Sequence, residues 1–159
     1  SGETTVGKYP LRCIEQLVNI AENIEIHPGL RFVNNLNTDS DKQKLSVAAV
    51  DLAKSLNARG IVVITRRGLM ADLVCNCRPV FSDIYAFTNV SQARRTMMIG
   101  RGVRPFRIAF SQDPEKTLQT AFNVLKEREG FKSAEKVVVI SDVLAGSGKI
   151  DAIQIRHLP

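Results

Sequence analysis

Aromatic side chains are scarce in this chain of 159 residues, and tryptophan is absent. Only 6% of the residues are Phe, Trp or Tyr. Because single-stranded nucleic acids are held largely by stacking of bases on aromatic rings, this composition argues against a nucleic-acid partner. No apolar stretch approaches the length of a bilayer-spanning helix, and no signal peptide opens the chain. We therefore expect no nucleic acid and no membrane among its partners.

Cysteine and histidine are also too few for a disulfide framework or a metal site. The cysteines are Cys13, Cys75 and Cys77, and the histidines His27 and His157 lie far from one another in sequence. The number of cysteines is odd, and residues two apart on a helix point to different faces. We expect reduced thiols, a cytoplasmic location and no metal ligands.

No catalytic constellation is visible either. The sequence contains no carboxylate pair beside a base, no serine or cysteine beside a histidine, and no P-loop pattern. We therefore predict no catalytic residue in this chain.

Basic residues, in contrast, are in excess, with a net charge of +6 and an isoelectric point near 9.5. Hydrophobic residues at 44% and charged residues at 24% are typical of a globular chain with one domain, or one domain and an appendage. The charge has two interpretations: a solvated basic surface, or a site for an anionic partner. The arginines are scattered along the sequence rather than clustered.

Helical and strand patterns alternate along most of the chain. Helices are predicted at about 9–26, from Ser40 with Gln43 as its capping partner, and at 69–77, 91–99 and 114–130. Strands are predicted at 60–65, 83–87, 103–110, 136–141 and 150–158. The inward-facing positions are predicted to be Leu45, Ala48, Ala49, Leu52, Ala53, Leu56, Leu69, Met70, Leu73, Val74 and Cys77.

This alternation predicts an α/β fold: a doubly wound, mostly parallel five-stranded sheet with helices on both faces. Only a short loop separates the last two strands, whereas parallel neighbours need a long crossover, so the final strand should run antiparallel. Pro105 indicates that the strand at 103–110 is short or lies at an edge of the sheet.

The join between the first strand and the following helix has the pattern of an anion site. The apolar run at 61–64 ends at Thr65-Arg66-Arg67-Gly68, and a helical pattern begins at Leu69. Unpaired N–H groups at a helix start attract anions, and two arginines stand beside them. If the loop binds phosphate, the anion should lie near the N–H groups of Gly68, Leu69 and Met70; the alternative is that Arg66 and Arg67 are surface arginines without a ligand.

Short motifs at the beginning of the chain resemble pyruvate kinase. Ser1-Gly2-Glu3-Thr4 and Gly7-Lys8-Tyr9-Pro10, followed by an amphipathic helix, match the stretch that leaves the family's catalytic (β/α)8 barrel. The order of later elements is similar to the family's C-terminal domain. The resemblance implies a barrel segment and helix at 1–26, a linker at 27–37 and a C-terminal-like α/β domain at 38–159.

The resemblance also implies an effector site for a sugar bisphosphate. The family's phosphate loop reads roughly Thr/Ser-x-Ser/Thr-Gly-Arg-Ser; Thr65 and Gly68 match it, Arg67 replaces a hydroxyl, and Leu69-Met70 replace the Arg-Ser pair. The second phosphate loop of the family is matched by Gly146-Ser147-Gly148. The implied phosphate-binding residues are Thr65, Arg66, Arg67, Gly68, Gly146, Ser147, Gly148 and Lys149. Because several family donors are missing, we expect weak or no binding of a sugar bisphosphate.

The function implied by this resemblance is that of a regulatory and oligomerisation domain. The parent enzyme would transfer a phosphoryl group from phosphoenolpyruvate to ADP with Mg and K, whereas this segment holds no cofactor. Self-association is expected through the last strand, with Ile153, Ile155 and Leu158 on its edge. The alternative is a freestanding α/β module that binds a phosphorylated metabolite or a nucleotide.

Overall fold

The computed structural model describes residues 2–26, 38–141 and 151–159, and the chain forms two compact units, Ser1–Leu36 and Asn37–Pro159. The first unit contains α1 (Gly2–Val6) and α2 (Pro10–Ile26). Pro10 suits the first position of α2 because its missing N–H would have no helical partner there. The sequence patterns predicted α2 but not α1. The predicted linker at 27–37 lies outside the described residues.

The second unit alternates strands and helices as predicted. Its elements are α3 (Asp41–Ser55), β1 (Gly60–Ile64), α4 (Leu69–Asn76), β2 (Asp83–Thr88), α5 (Ser91–Met97), β3 (Val103–Arg107), α6 (Pro114–Glu129), β4 (Lys136–Ser141) and β5 (Ala152–His157). Ser40 caps α3, and its side chain and that of Gln43 form the predicted capping box.

The five strands form one sheet in the order β3-β2-β1-β4-β5. All neighbouring pairs are parallel except β4 and β5, which are antiparallel. The predicted fold class is therefore confirmed. Pro105 lies on β3, at one edge of the sheet, where a residue without an N–H interrupts no second ladder.

Helices cover both faces of the sheet, and each face has its own hydrophobic cluster. One cluster joins α3, α4 and the end of α5 to the sheet and is mainly aliphatic. The other joins α6 to the sheet and holds the aromatic side chains Tyr85, Phe87, Phe122 and Phe131. In the part of the chain that the structure describes, α6 is the helix that packs on this second face, and large side chains fill the space beneath it.

Two predicted core positions are wrong. Ala48 is exposed on α3, and Leu69, the first residue of α4, is 49% exposed. Helical spacing places Leu69 on the same stripe as Leu73, but Leu69 is the first residue of the helix, at one end of that stripe. Met70, Ala71 and Val74 are the buried residues of this helix.

Candidate functional site

The loop after β1, residues 65–68, is held by buried hydroxyl groups. Thr65 is fully buried, its N–H donates to the carbonyl of Phe87 (2.9 Å), and its Oγ1 accepts the N–H of Gly68 (3.3 Å). Thr88, also fully buried, donates from Oγ1 to the carbonyl of Arg66 (2.8 Å). The backbone path of the loop is therefore fixed by the ends of β1 and β2.

Gly68 begins α4 in a conformation that favours glycine. It is the N-cap residue, with φ 92° and ψ −11°. A Cβ added there would lie 3.1 Å from Cγ of Met97, which packs at the end of α5. Both the backbone angle and the close approach of Met97 account for glycine at this position.

The structure corrects one expectation for this loop. The N–H of Gly68, expected to face an anion, donates instead to Thr65. Two of the three expected backbone donors remain in the first turn of α4, at Leu69 and Met70. Arg66 and Arg67 are both exposed beside them.

An acidic residue that the sequence analysis overlooked also lies in this first turn. Asp72 is on α4, and its N–H donates to the carbonyl of Gly68 (3.0 Å). Partial burial raises the pKa of the Asp72 carboxyl above its ordinary value. A carboxylate in the first turn interacts favourably with the helix dipole, but it repels a bound phosphate. The sequence signal was available, since Asp72 follows Gly68 by four positions.

The second predicted loop, with Gly146, Ser147, Gly148 and Lys149, lies outside the described residues. The residues brought together by the described structure are therefore Thr65, Arg66, Arg67 and Gly68 alone.

A second basic feature lies at the β3 edge of the sheet. A groove of about 350 Å³ is lined by Ser91, Arg94 and Arg95 of α5, Pro105, Phe106 and Arg107 of β3, and Arg128 of α6. We call it the arginine groove. The guanidinium of Arg107 donates to Oγ of Ser91 (2.8 Å). The sequence patterns gave no sign of this groove, because these arginines meet only through the order of strands in the sheet.

The opposite edge of the sheet is β5, the predicted assembly strand. Ile155 is 48% exposed on it, whereas Ile153 packs partly against the core. Leu158 does not lie on the exposed edge as predicted; it is 2% exposed, because hydrogen bonds with Ala134 and Glu135 turn it into the aromatic cluster.

The described ranges hold neither a cluster of metal-binding side chains nor a membrane-spanning helix. Within residues 2–26, 38–141 and 151–159, no group of three or more His, Cys, Asp and Glu side chains could hold a metal ion. Over the same ranges, no helix combines the length and the hydropathy needed to cross a bilayer.

Comparison with known proteins decides the family. The model of the pyruvate kinase alpha/beta domain matches residues 43–156, which include the loop at 65–68 and all of the sheet except His157, the last residue of β5. The chain belongs to the pyruvate kinase family. Pyruvate kinase isozyme A, named chloroplastic, from Ricinus communis is 30% identical over 168 residues, covering 100% of this chain and 28% of the relative. Pyruvate kinase 2 from Synechocystis is 30% identical over 160 residues, covering 98% and 26%.

The fold likeness extends to solved structures of pyruvate kinases. A Cryptosporidium parvum pyruvate kinase in complex with ADP superposes with a TM-score of 0.80 at 22% identity, covering all of this chain and 33% of that one. The chain thus spans about a quarter to a third of the length of the pyruvate kinases it matches.

Proposed function

We propose that this chain is the regulatory and assembly domain of a pyruvate kinase. The observation that carries the proposal is the family match over residues 43–156, with pyruvate kinases aligned along the full chain. The parent enzyme would transfer a phosphoryl group from phosphoenolpyruvate to ADP, giving pyruvate and ATP. It would use Mg and K bound by residues outside this chain.

The regulatory part of the proposal rests on the loop at 65–68. A strand end, a tight turn and a helix start are combined there with the exposed Arg66 and Arg67. Guanidinium groups bind phosphate through charge-assisted hydrogen bonds. Two features weaken this loop as an effector site. The N–H of Gly68 already donates to Thr65, and the carboxylate of Asp72 repels a phosphate. We therefore propose an effector response weaker than the family's, or lost. A freestanding phosphate-binding module would use the same loop.

The assembly part rests on β5. Among the described residues this strand has one neighbour in the sheet, β4, and the polar backbone groups of its other side could pair with a second copy. Ile155 adds exposed apolar area to that edge. Two copies that paired through β5 would be related by a two-fold axis and form a closed dimer.

Sedimentation velocity tests the assembly. We expect the chain to form a dimer, and we expect Ile155→Lys to shift it to monomer, because two new charges would face each other across the axis. Ile99→Lys is the matched control, since Ile99 is 88% exposed and lies away from β5. A monomer at high concentration, or equal effects of the two variants, would contradict assembly through β5.

A cytoplasmic location stays a prediction. Several similar plant enzymes, including those from Ricinus communis and Nicotiana tabacum, carry the word chloroplastic in their names. The location of the parent of this chain is therefore a separate question from its fold.

A further inference from the structure

In the described residues, the charges of the arginine groove are not balanced by neighbouring carboxylates, as the charges of some other arginines are. Within the part of the chain that the structure describes, no carboxylate lies within 4.0 Å of the guanidinium groups of Arg94, Arg95, Arg107 or Arg128. The polar contact of the groove is the hydrogen bond from Arg107 to Ser91.

Three other arginines of the same domain are paired with carboxylates. Arg104, on the same strand as Arg107, contacts Asp83 (3.3 Å) and Glu129 (2.8 Å). Arg59 contacts Glu135 (3.3 Å), and Arg156 contacts Glu115 (2.6 Å). Within the described residues, the domain thus provides carboxylates for these three arginines and not for the four in the groove.

Unpaired like charges around a concave surface raise the local concentration of anions. The charges of the groove come from two helices and a strand, so they surround a space rather than form a flat patch. Its apolar part is Pro105 and Phe106, and Phe106 is held by stacking on Phe87, with ring centroids 5.3 Å apart. An anion bound there would meet charged walls on a rigid apolar base.

We propose that the arginine groove binds a compact phosphorylated small molecule, at a site separate from the loop at 65–68. Planar guanidinium groups with several fixed donors suit phosphate oxygens, and four of them suit more than one phosphate group. The volume of about 350 Å³ is in the range of small-molecule sites. A groove of this size holds a metabolite but no long stretch of a macromolecule.

Calorimetry on the complete 159-residue chain tests this site, with inorganic pyrophosphate as the probe. The first variant is Arg94→Ala/Arg107→Ala, which removes one groove arginine from α5 and one from β3. All the substituted side chains are exposed, so the fold should persist. The matched control is Lys116→Ala/Lys132→Ala, which changes the net charge equally outside the groove. Arg66→Ala/Arg67→Ala separates the groove from the loop.

We expect pyrophosphate to bind the unaltered chain, with an affinity that falls as salt rises. The groove variant should lose at least tenfold in affinity, whereas the lysine variant and the loop variant should each stay within about twofold. Amide resonances of Ser91 and Phe106 should shift on titration more than that of Gly68.

Three results would overturn the proposal. Absence of heat with the unaltered chain would mean that the groove binds no phosphate group. If polyglutamate bound instead, the groove would be a binding site for an acidic protein segment. Equal losses in the groove and lysine variants would mean attraction by net charge alone. A loss confined to the loop variant would place the ligand at residues 65–68, which would support the proposed effector loop and not this site.

Discussion

The loop at 65–68 and the arginine groove are both basic, yet they are constructed differently. In the loop, buried hydroxyls of Thr65 and Thr88 fix the backbone, and the arginine side chains extend freely. In the groove, the backbone is ordinary helix and strand, and side chains from three elements surround the space. The first site depends on local geometry, and the second depends on topology.

This difference predicts where each site is sensitive to mutation. Changes to a backbone-built loop should reduce the free energy of unfolding, because they disturb buried hydrogen bonds and a special φ angle. Changes to exposed groove arginines should leave stability nearly unchanged and alter binding only. Stability and anion affinity should therefore separate between the two sites.

The largest expected effect is on the loop. Gly68→Ala must hold φ near 92° and must displace Met97, so it should lower the free energy of unfolding by about 2 kcal/mol. Gly102→Ala is the matched control: its φ is 67°, but no atom lies within 4 Å of the new Cβ. It should cost about 1 kcal/mol. Urea unfolding followed by circular dichroism measures both, and equal losses would show that Met97 moves aside without cost.

Local signals explain why the loop and much of the fold could be predicted from sequence. The capping box of Ser40 and Gln43, the edge position of Pro105 and the antiparallel β5 each follow from neighbouring residues or from loop length. The predicted strand–turn–helix join is present, with Gly68 at its turn. These features involve residues that are close along the chain, where propensity and spacing apply.

The missed features depend on contacts between distant segments. Arg94 and Arg128 are far apart in sequence and line one groove only because β3 lies at the sheet edge, with α5 and α6 beside it. Leu158 is buried because β5 continues into a turn bonded to Glu135. Leu69 has the spacing of a core residue, but its side chain is 49% exposed. The periodicity of a sequence identifies the apolar face of a helix, but it does not show how much of that face is covered by other elements.

A smaller effect is expected for charge changes at the β3 edge. Arg94→Ala/Arg107→Ala should change the free energy of unfolding by no more than about 0.5 kcal/mol. At low salt the variant should be slightly more stable, because like charges that repel each other have been removed. Arg104→Ala, on the same strand, should lower the free energy of unfolding by roughly 0.5 to 1 kcal/mol, because its two carboxylate partners become unpaired at a partly exposed site. Urea unfolding at low and high salt distinguishes them. A larger loss in the groove variant would mean that its arginines are structural.

A separate prediction concerns binding rather than stability, at the loop as an anion site. A titration with a sugar bisphosphate should give weak or no heat. Any binding should weaken at least tenfold in Arg66→Ala/Arg67→Ala. One charge-assisted contact contributes about 1.4 kcal/mol or more, and that free energy corresponds to tenfold in affinity. Asp72→Asn should strengthen it by roughly twofold to fivefold, because a carboxylate in the first turn of α4 repels phosphate. No gain with Asp72→Asn would mean that the ligand does not reach this turn.

The stability of the same variant gives an independent readout of Asp72. Its pKa is raised by burial, so the folded state favours the protonated carboxyl, and this contribution is present at acidic pH and lost as pH rises through the raised pKa. Asp72→Asn should therefore be more stable than the unaltered chain at pH 7 and equal to it near pH 3. Asp41→Asn, in the first turn of α3, should show the opposite sign at pH 7, because its exposed carboxylate supports the helix dipole and lies 3.9 Å from Lys44. Thermal unfolding at both pH values measures the pair, and a loss of stability in both variants at pH 7 would mean that dipole support outweighs burial at Asp72.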